Sequence, residues 1–197
     1  MPNASVIAPA LHHINLKTTQ VQAMIDWYGT VVGSKATFQF PGGAWLTNDG
    51  ANHRIALLAL PGYEDDPNKD RHTGLHHTAF EYGSFEDLMN SYERLRDAGI
   101  TPEICLDHGM TVSMYYRDPD RNHVELQCDV FGAWEKSKKW METSPQFAQN
   151  PIGVFFEPDR VLAAHRKGAG LDELHRRMMA AEFEPKPVPV LSVPDRV

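Results

Sequence analysis

Cysteine is scarce. Cys105 and Cys128 are the only two in 197 residues, too few for a disulfide framework and without CxxC spacing, so both are expected to be reduced structural thiols. Basic clusters are also missing. The 19 lysines and arginines are scattered among 26 acidic residues, for a net charge of -7, which argues against nucleic acid as a partner. No run of about 18 apolar residues exists, so no membrane span is expected. Met1 to Ala10 lacks the basic and apolar regions of a signal peptide, and the expected location is the cytoplasm. The chain is long enough to bury one substantial core, as one domain or as two small halves sharing it.

Histidine, by contrast, is plentiful, with ten in the chain. Leu11-His12-His13-Ile14 returns 64 residues later as Leu75-His76-His77-Thr78. Each copy opens an alternating polar and apolar run that reads as a strand, so the chain is read as two related halves. In the first, a strand over 11–17 precedes a helix carrying Val21, Met24, Ile25 and Tyr28, with Thr19 and Gln22 as a capping box and Gly33 as its stop. Strands at 35–40, 44–47 and 53–60 follow, separated by Pro41-Gly42-Gly43 and Asn48-Asp49-Gly50. Pro61 to Gly74 is a polar surface connection. The second half repeats the order: a strand over 77–82, a helix capped by Ser84 with Asp87 and ended by Gly99, then strands at 103–106, 111–117 and 123–128.

The predicted class is therefore α+β: two βαβββ modules, residues 10–61 and 74–129, forming one cup-shaped mixed sheet or barrel within one domain. Residues 130–197 form a C-terminal extension with helices at 134–141, 158–167 and 171–179. Pro185, Pro187, Pro189 and Pro194 then make an extended arm. The extension is read as a packing appendage over the barrel or a neighbouring subunit, or else as a lid.

In the last strand of the second half His123, Glu125 and Gln127 share one face while Val124 and Leu126 share the other. By the same parity His13 and His77 face with Glu125. Two imidazoles and one carboxylate leave three octahedral positions open, an arrangement associated with non-haem Fe(II) oxygenases. Superposing Asn52-His53-Arg54-Ile55 on Asn122-His123-Val124-Glu125 puts Ile55 at the place of a fourth ligand, leaving that place apolar. His12 and His76 are expected on the helix side as packing residues. Phe38, Trp45, Phe155 and Phe156 are the candidates for lining the cup.

Leu11 to Leu16, Gly74 to Phe80 and Tyr115 to Leu126 resemble the three ligand-bearing segments of the vicinal oxygen chelate superfamily, and within it the one-domain type I extradiol ring-cleaving dioxygenases. The resemblance spans residues 10 to 130; Trp27-Tyr28 and Asn150 to Val154 also look like short members of that group. It implies iron ligands at His13, His77 and Glu125, with Fe(II) as the metal, Mn(II) possible, and O2 as co-substrate. It further implies a second-sphere histidine at His53, an active-site tyrosine at Tyr115, and at His108 the histidine that hydrogen-bonds a substrate hydroxyl. Arg121 replaces a glycine usual in its turn, at a cost of about 1 kcal/mol if φ there is positive. The expected activity is extradiol cleavage of a small aromatic diol by a homo-oligomer. The alternatives are a glyoxalase-type isomerase or epimerase, which would want a fourth protein ligand, and a metal-free module that binds small molecules.

Overall fold

Strand β1 (Ile14–Lys17) turns Leu16 inward and leaves Asn15 and Lys17 exposed, the period-two pattern of a sheet covered on one face. The computed structural model describes residues 6–189. Helix α1 (Val21–Val32) supplies the cover through Met24, Tyr28 and Val31, all fully buried. It ends at Gly33, whose φ of 69° lets its N–H donate to the Tyr28 carbonyl. The Thr19/Gln22 capping box does not form. Gln20 occupies the cap position with its amide donating to Thr18 Oγ1, and the Gln22 side chain donates to Asp26 instead.

Strands β2 (Lys35–Phe40), β3 (Gly43–Thr47) and β4 (Ile55–Leu58) complete a sheet of order β1-β4-β3-β2, with β1 and β4 parallel. The last strand is shorter than the predicted 53–60. Asp49 ties residues 47–54 into a turn, accepting from Ala51 N–H and Thr47 Oγ1 and pairing with Arg54 at 2.8 Å.

The second half repeats the plan with β5 (His77–Tyr82), α2 (Phe85–Asp97), β6 (Ile104–Asp107), β7 (Thr111–Arg117) and β8 (His123–Asp129). Ser84 caps α2 as predicted, its Oγ accepting from Asp87 N–H at 3.1 Å. Leu88, Met89, Tyr92 and Leu95 of α2 are buried, as are Met114, Tyr116, Val124 and Leu126 on the covered face of the sheet. A two-residue strand absent from the sequence reading, β9 (Val154–Phe155), pairs antiparallel with β6 and gives the order β5-β8-β7-β6-β9.

The extension contains α3 (Trp134–Thr143), α4 (Pro145–Gln149), α5 (Pro158–Arg166) and α6 (Leu171–Met179). Phe156, Val161, Leu162, Leu174, Met178 and Phe183 are buried, and this part packs on α2 and β6 of the second half. Pro194 lies outside the described residues. No described helix is long and apolar enough to cross a membrane.

The α+β class and both βαβββ modules are as the sequence reads. The strands, however, hydrogen-bond as two sheets of four and five strands rather than as one sheet or closed barrel, β9 having taken the outer edge of β6. The chain divides into two compact units, one built on the residues up to His72 with Asp118–Arg121, the other on Thr73–Arg117 and the residues from Asn122 onward. In the first, buried Tyr28 donates to buried Asp118 at 3.1 Å. Arg121 there has a φ of 64°, and its guanidinium donates to Asp65 and to the Asp66 carbonyl.

Strand register corrects one sequence equivalence. Two residues beyond His77, Ala79 pairs with Glu125, which pairs across with Tyr115. Two residues beyond His13, Asn15 pairs with Ala56, which pairs with Trp45. The counterpart of Glu125 is therefore Ala56. Ile55 pairs with Leu46 on the opposite, fully buried face, because the Asp49 turn shifts the start of β4 by one residue. The position is apolar, as expected, with a different occupant.

Candidate active site

Glu125 sits in the middle of β8 on the face turned away from α2, flanked by β5 and β7, and its side chain is nearly inaccessible. A buried carboxylate needs partners. His77 Nε2 lies 3.0 Å from Oε2, Tyr115 Oη donates to Oε1 at 2.9 Å, and Ser113 also hydrogen-bonds it. Burial opposes the charge, yet these hydrogen bonds outweigh it and hold the carboxyl below its ordinary range. The same contacts push the Tyr115 phenol far above its usual value, burial first and the Glu125 charge next.

His108 extends the chain. Its Nε2 is 2.9 Å from Tyr115 Oη and its Nδ1 is 2.6 Å from the Ile152 carbonyl. A carbonyl only accepts, which assigns a proton to Nδ1 and leaves Nε2 of the neutral ring as an acceptor. One phenolic proton then faces two acceptors, Glu125 Oε1 and His108 Nε2. The chain His108–Tyr115–Glu125 has room for one more proton. A hydroxyl brought to it from solution can supply that proton, so the arrangement serves as a base for an acidic O–H group.

These groups open on a cavity of about 540 Å³ within the second unit. Its lining includes Met110 and, from α3, Trp134, Ser137, Lys138 and Met141, the i, i+3, i+4, i+7 face of that helix. Two sheet carboxylates anchor the helix: Trp134 Nε1 donates to both oxygens of Glu81 at 3.0 Å, and Ser137 Oγ donates to Asp129 Oδ2. Trp134 is 71% exposed, so its ring is oriented by hydrogen bonds while its face stays free. None of Phe38, Trp45, Phe155 and Phe156 lines this cavity. Phe156 is buried, and Phe38, Phe40 and Trp45 form an aromatic cluster in the first unit, with Phe38 stacked on Phe40 and edge-on to Trp45. The sequence carried a helix signal at 134–141 but nothing that aimed it at the site.

The first unit gathers a second group. Ligand atoms of His12, His13 and His53 lie within 4.8 Å of one another, and His13 and His53 have ring centroids 4.3 Å apart. Burial and the neighbouring His13 and His12 hold the His53 pKa below the usual imidazole range. His12 and His76 are corrected: both are exposed rather than packed on the helix side, and each meets its neighbour Nδ1 to Nδ1, at 3.1 Å for His12–His13 and 2.8 Å for His76–His77. Strand parity does not reach them, because β1 begins at Ile14 and β5 at His77. His123 stacks on His76 and lies 3.4 Å from Glu103.

The donor set in the second unit suits a divalent metal. Two ligand atoms at right angles on an octahedral ion, each about 2.1 Å from it, are about 3.0 Å apart. His77 Nε2 and Glu125 Oε2 stand at that separation, one neutral nitrogen donor and one anionic oxygen donor, with Tyr115 fixing the other carboxylate oxygen.

A family model described as Glyoxalase/Bleomycin resistance protein/Dioxygenase superfamily matches residues 10–126. Two Rhodococcus globerulus proteins are similar over nearly the whole chain. Biphenyl-2,3-diol 1,2-dioxygenase 2 is 36% identical over 94% of this chain and 97% of its own length. Biphenyl-2,3-diol 1,2-dioxygenase 3 is 38% identical over 90% and 93%. Among solved structures, a glyoxalase/dioxygenase from Nostoc punctiforme aligns with a TM-score of 0.51 at 25% identity, covering 64% of this chain and 97% of that one.

Proposed function

Because the chain belongs to the Glyoxalase/Bleomycin resistance protein/Dioxygenase superfamily, we propose that it is an extradiol ring-cleaving dioxygenase acting on a substituted catechol, with His13, His77 and Glu125 as the ligands of a catalytic Fe(II). The observation that carries this reading is the hydrogen-bonded series His77, Glu125, Tyr115, His108 at the floor of one cavity. Likeness to the two biphenyl-diol dioxygenases supports the substrate class. The ligand types suit Mn(II) as well as Fe(II).

When bound, Fe(II) would supply a redox-active centre at which a catechol and O2 can be held together. The protein's own part follows from the site. His108 Nε2 and Tyr115 Oη take and hold a proton from a diol hydroxyl, which makes the ring electron-rich. Glu125, held below the ordinary carboxyl range by its hydrogen bonds, of which those from Tyr115 and Ser113 would persist with metal bound, holds its negative charge ready as a ligand. His53, whose pKa is held below the usual imidazole range, is assigned to exchange a proton with oxygen during ring insertion. The apolar wall of Trp134, Met110 and Met141 accommodates the ring substituent, and a second aryl ring matches the flat free face of Trp134. Both atoms of O2 enter the product as the ring bond beside the diol breaks, giving a muconic semialdehyde or an analogous keto acid.

Anaerobic loading with Fe(II), followed by O2-electrode and absorbance assays with catechol and 2,3-dihydroxybiphenyl, tests the reading. A yellow product with stoichiometric O2 uptake is expected, and loss of both in Glu125→Ala. Fully metal-loaded protein that consumes no O2 with any catechol would sink it.

A further inference from the structure

The extension is not merely packed beside the second unit's sheet: it grips the turn that carries His108 at three points. The Ile152 carbonyl accepts a hydrogen bond from His108 Nδ1–H at 2.6 Å. Strand β9 lies along β6 with Val154 paired to Asp107 and Phe155 to Leu106. On α6, His175 Nδ1 reaches Asp107 Oδ2 at 2.7 Å. The Asp107 side chain is fully buried, and its other oxygen accepts the Gly109 N–H at 2.9 Å. A single carboxylate thus bridges from a C-terminal helix to the backbone on the far side of His108. The segment around Ile152 is as close. A Cβ on Gly153 would collide with the Asp107 carbonyl, so the backbone can come this near only at a glycine with φ of 97°.

We propose that His175 and Asp107 are positioning residues for the proposed reaction, acting through His108. The pair clamps the Asp107-His108-Gly109 turn so that the imidazole keeps its Nδ1–H on Ile152 and presents Nε2 to Tyr115 and the substrate hydroxyl. A buried carboxylate without a partner is costly, and His175 supplies one from α6 beside the buried Leu174 and Met178. Within β6–β7 the residue is tied by its backbone N–H to the Thr111 carbonyl and by Nε2 to Tyr115 Oη, so the Nδ1 side of the ring is set from the extension, by the Ile152 carbonyl. The later part of the extension, β9 and α6, therefore serves the site through His108, while α3 lines the cavity itself.

This inference rests on the dioxygenase reading for the role of His108, and its test separates the two. In full-length protein loaded with diamagnetic Zn(II), long-range ¹H–¹⁵N spectra should show the His108 ring as the Nδ1–H tautomer. His175→Leu should give a mixture of tautomers, and His175→Asn, whose side-chain amide can donate from the place of Nδ1, should restore the wild-type signals. In iron-loaded enzyme His175→Leu should lower kcat about tenfold, the scale of losses for groups one shell out from a site, with KM within about twofold. His175→Asn should recover most of it. In a His108→Ala background His175→Leu should cost nothing further, as expected for a residue acting through another. Unchanged His108 ring signals in His175→Leu, or an equal loss of kcat in the His108→Ala background, would overturn the proposal. If wild-type enzyme cleaves no catechol, the dioxygenase reading falls, while the tautomer measurement still decides whether the clamp exists.

Discussion

Tyr115→Phe isolates one hydroxyl at the centre of the site. The phenol is 8% exposed and lies 2.9 Å from both Glu125 Oε1 and His108 Nε2. Phenylalanine keeps the ring against His77, whose centroid is 5.4 Å away, and removes only the oxygen. A hydrogen bond to a charged group is worth about 1.5–3 kcal/mol, or roughly 10- to 150-fold in an equilibrium or rate constant. Glu125 retains Ser113, and the metal takes the place of the His77 N–H, which favours the lower end. Iron affinity, measured by competition with a chelator, should fall about tenfold. The value of kcat/KM for catechol should fall at least that far, since the route from substrate hydroxyl to His108 is also cut. The pH dependence of stability gives a second check in the metal-free protein. The folded pKa of Glu125 is depressed, so its stabilising contribution is present above the unfolded value of 4.5 and is lost as pH falls through the folded value. Removing the phenol relieves part of the depression. The stability gap between wild type and variant should be full at neutral pH and shrink below pH 4.5. Iron affinity and kcat/KM within twofold of wild type, or a gap that widens toward acid, would refute the reasoning.

Trp134→Ala should lower kcat/KM for 2,3-dihydroxybiphenyl about tenfold, the loss of about one aromatic contact, while catechol itself changes less than twofold; paired steady-state assays decide. Gly153→Ala should destabilise the protein by about 2 kcal/mol or more, because a side chain at φ of 97° is strained and its Cβ meets the Asp107 backbone rather than a movable side chain; the assay is denaturant unfolding. Tyr28→Phe should cost about 1.5–3 kcal/mol by removing one hydrogen bond to buried Asp118. Burial, then Asp118, raises the Tyr28 pKa, so that contribution is whole below the unfolded value of 10 and is lost progressively as pH rises above it toward the folded value. Unfolding at pH 7 and at pH above 10 should show a smaller gap at the alkaline end.

What the sequence reveals about this chain is what local physics encodes. Alternation located eight strands, Ser84 with Asp87 marked the start of α2, and Gly33 and Gly99 marked helix ends by their left-handed conformations. Parity put Glu125 on the face with His77, and the structure brings those two together with Tyr115 and His108. The missed parts are long-range. Two residues of β9 give no period, the Ile152 carbonyl has no side-chain signature, and His175 lies 68 residues from Asp107. The face of α3 could be read as a helix stripe but not aimed, because its anchors Glu81 and Asp129 are fixed by the sheet.

The corrected register also strengthens the argument from asymmetry between the two halves. It replaces a pair of residues, where the sequence comparison replaced one. Across the ladder, the second half sets Glu125 against Tyr115, and the first sets Ala56 against Trp45. A carboxylate at position 56 would face an indole ring whose N–H is its sole donor, whereas Glu125 has a phenol, an imidazole and a serine hydroxyl. Desolvated without such donors, it would neutralise itself by a raised pKa and be a poor anionic ligand. A fourth ligand from the first half would therefore need at least two coordinated substitutions. The single carboxylate is built into the cross-strand pairing, which favours a site with open coordination positions over a four-ligand isomerase site.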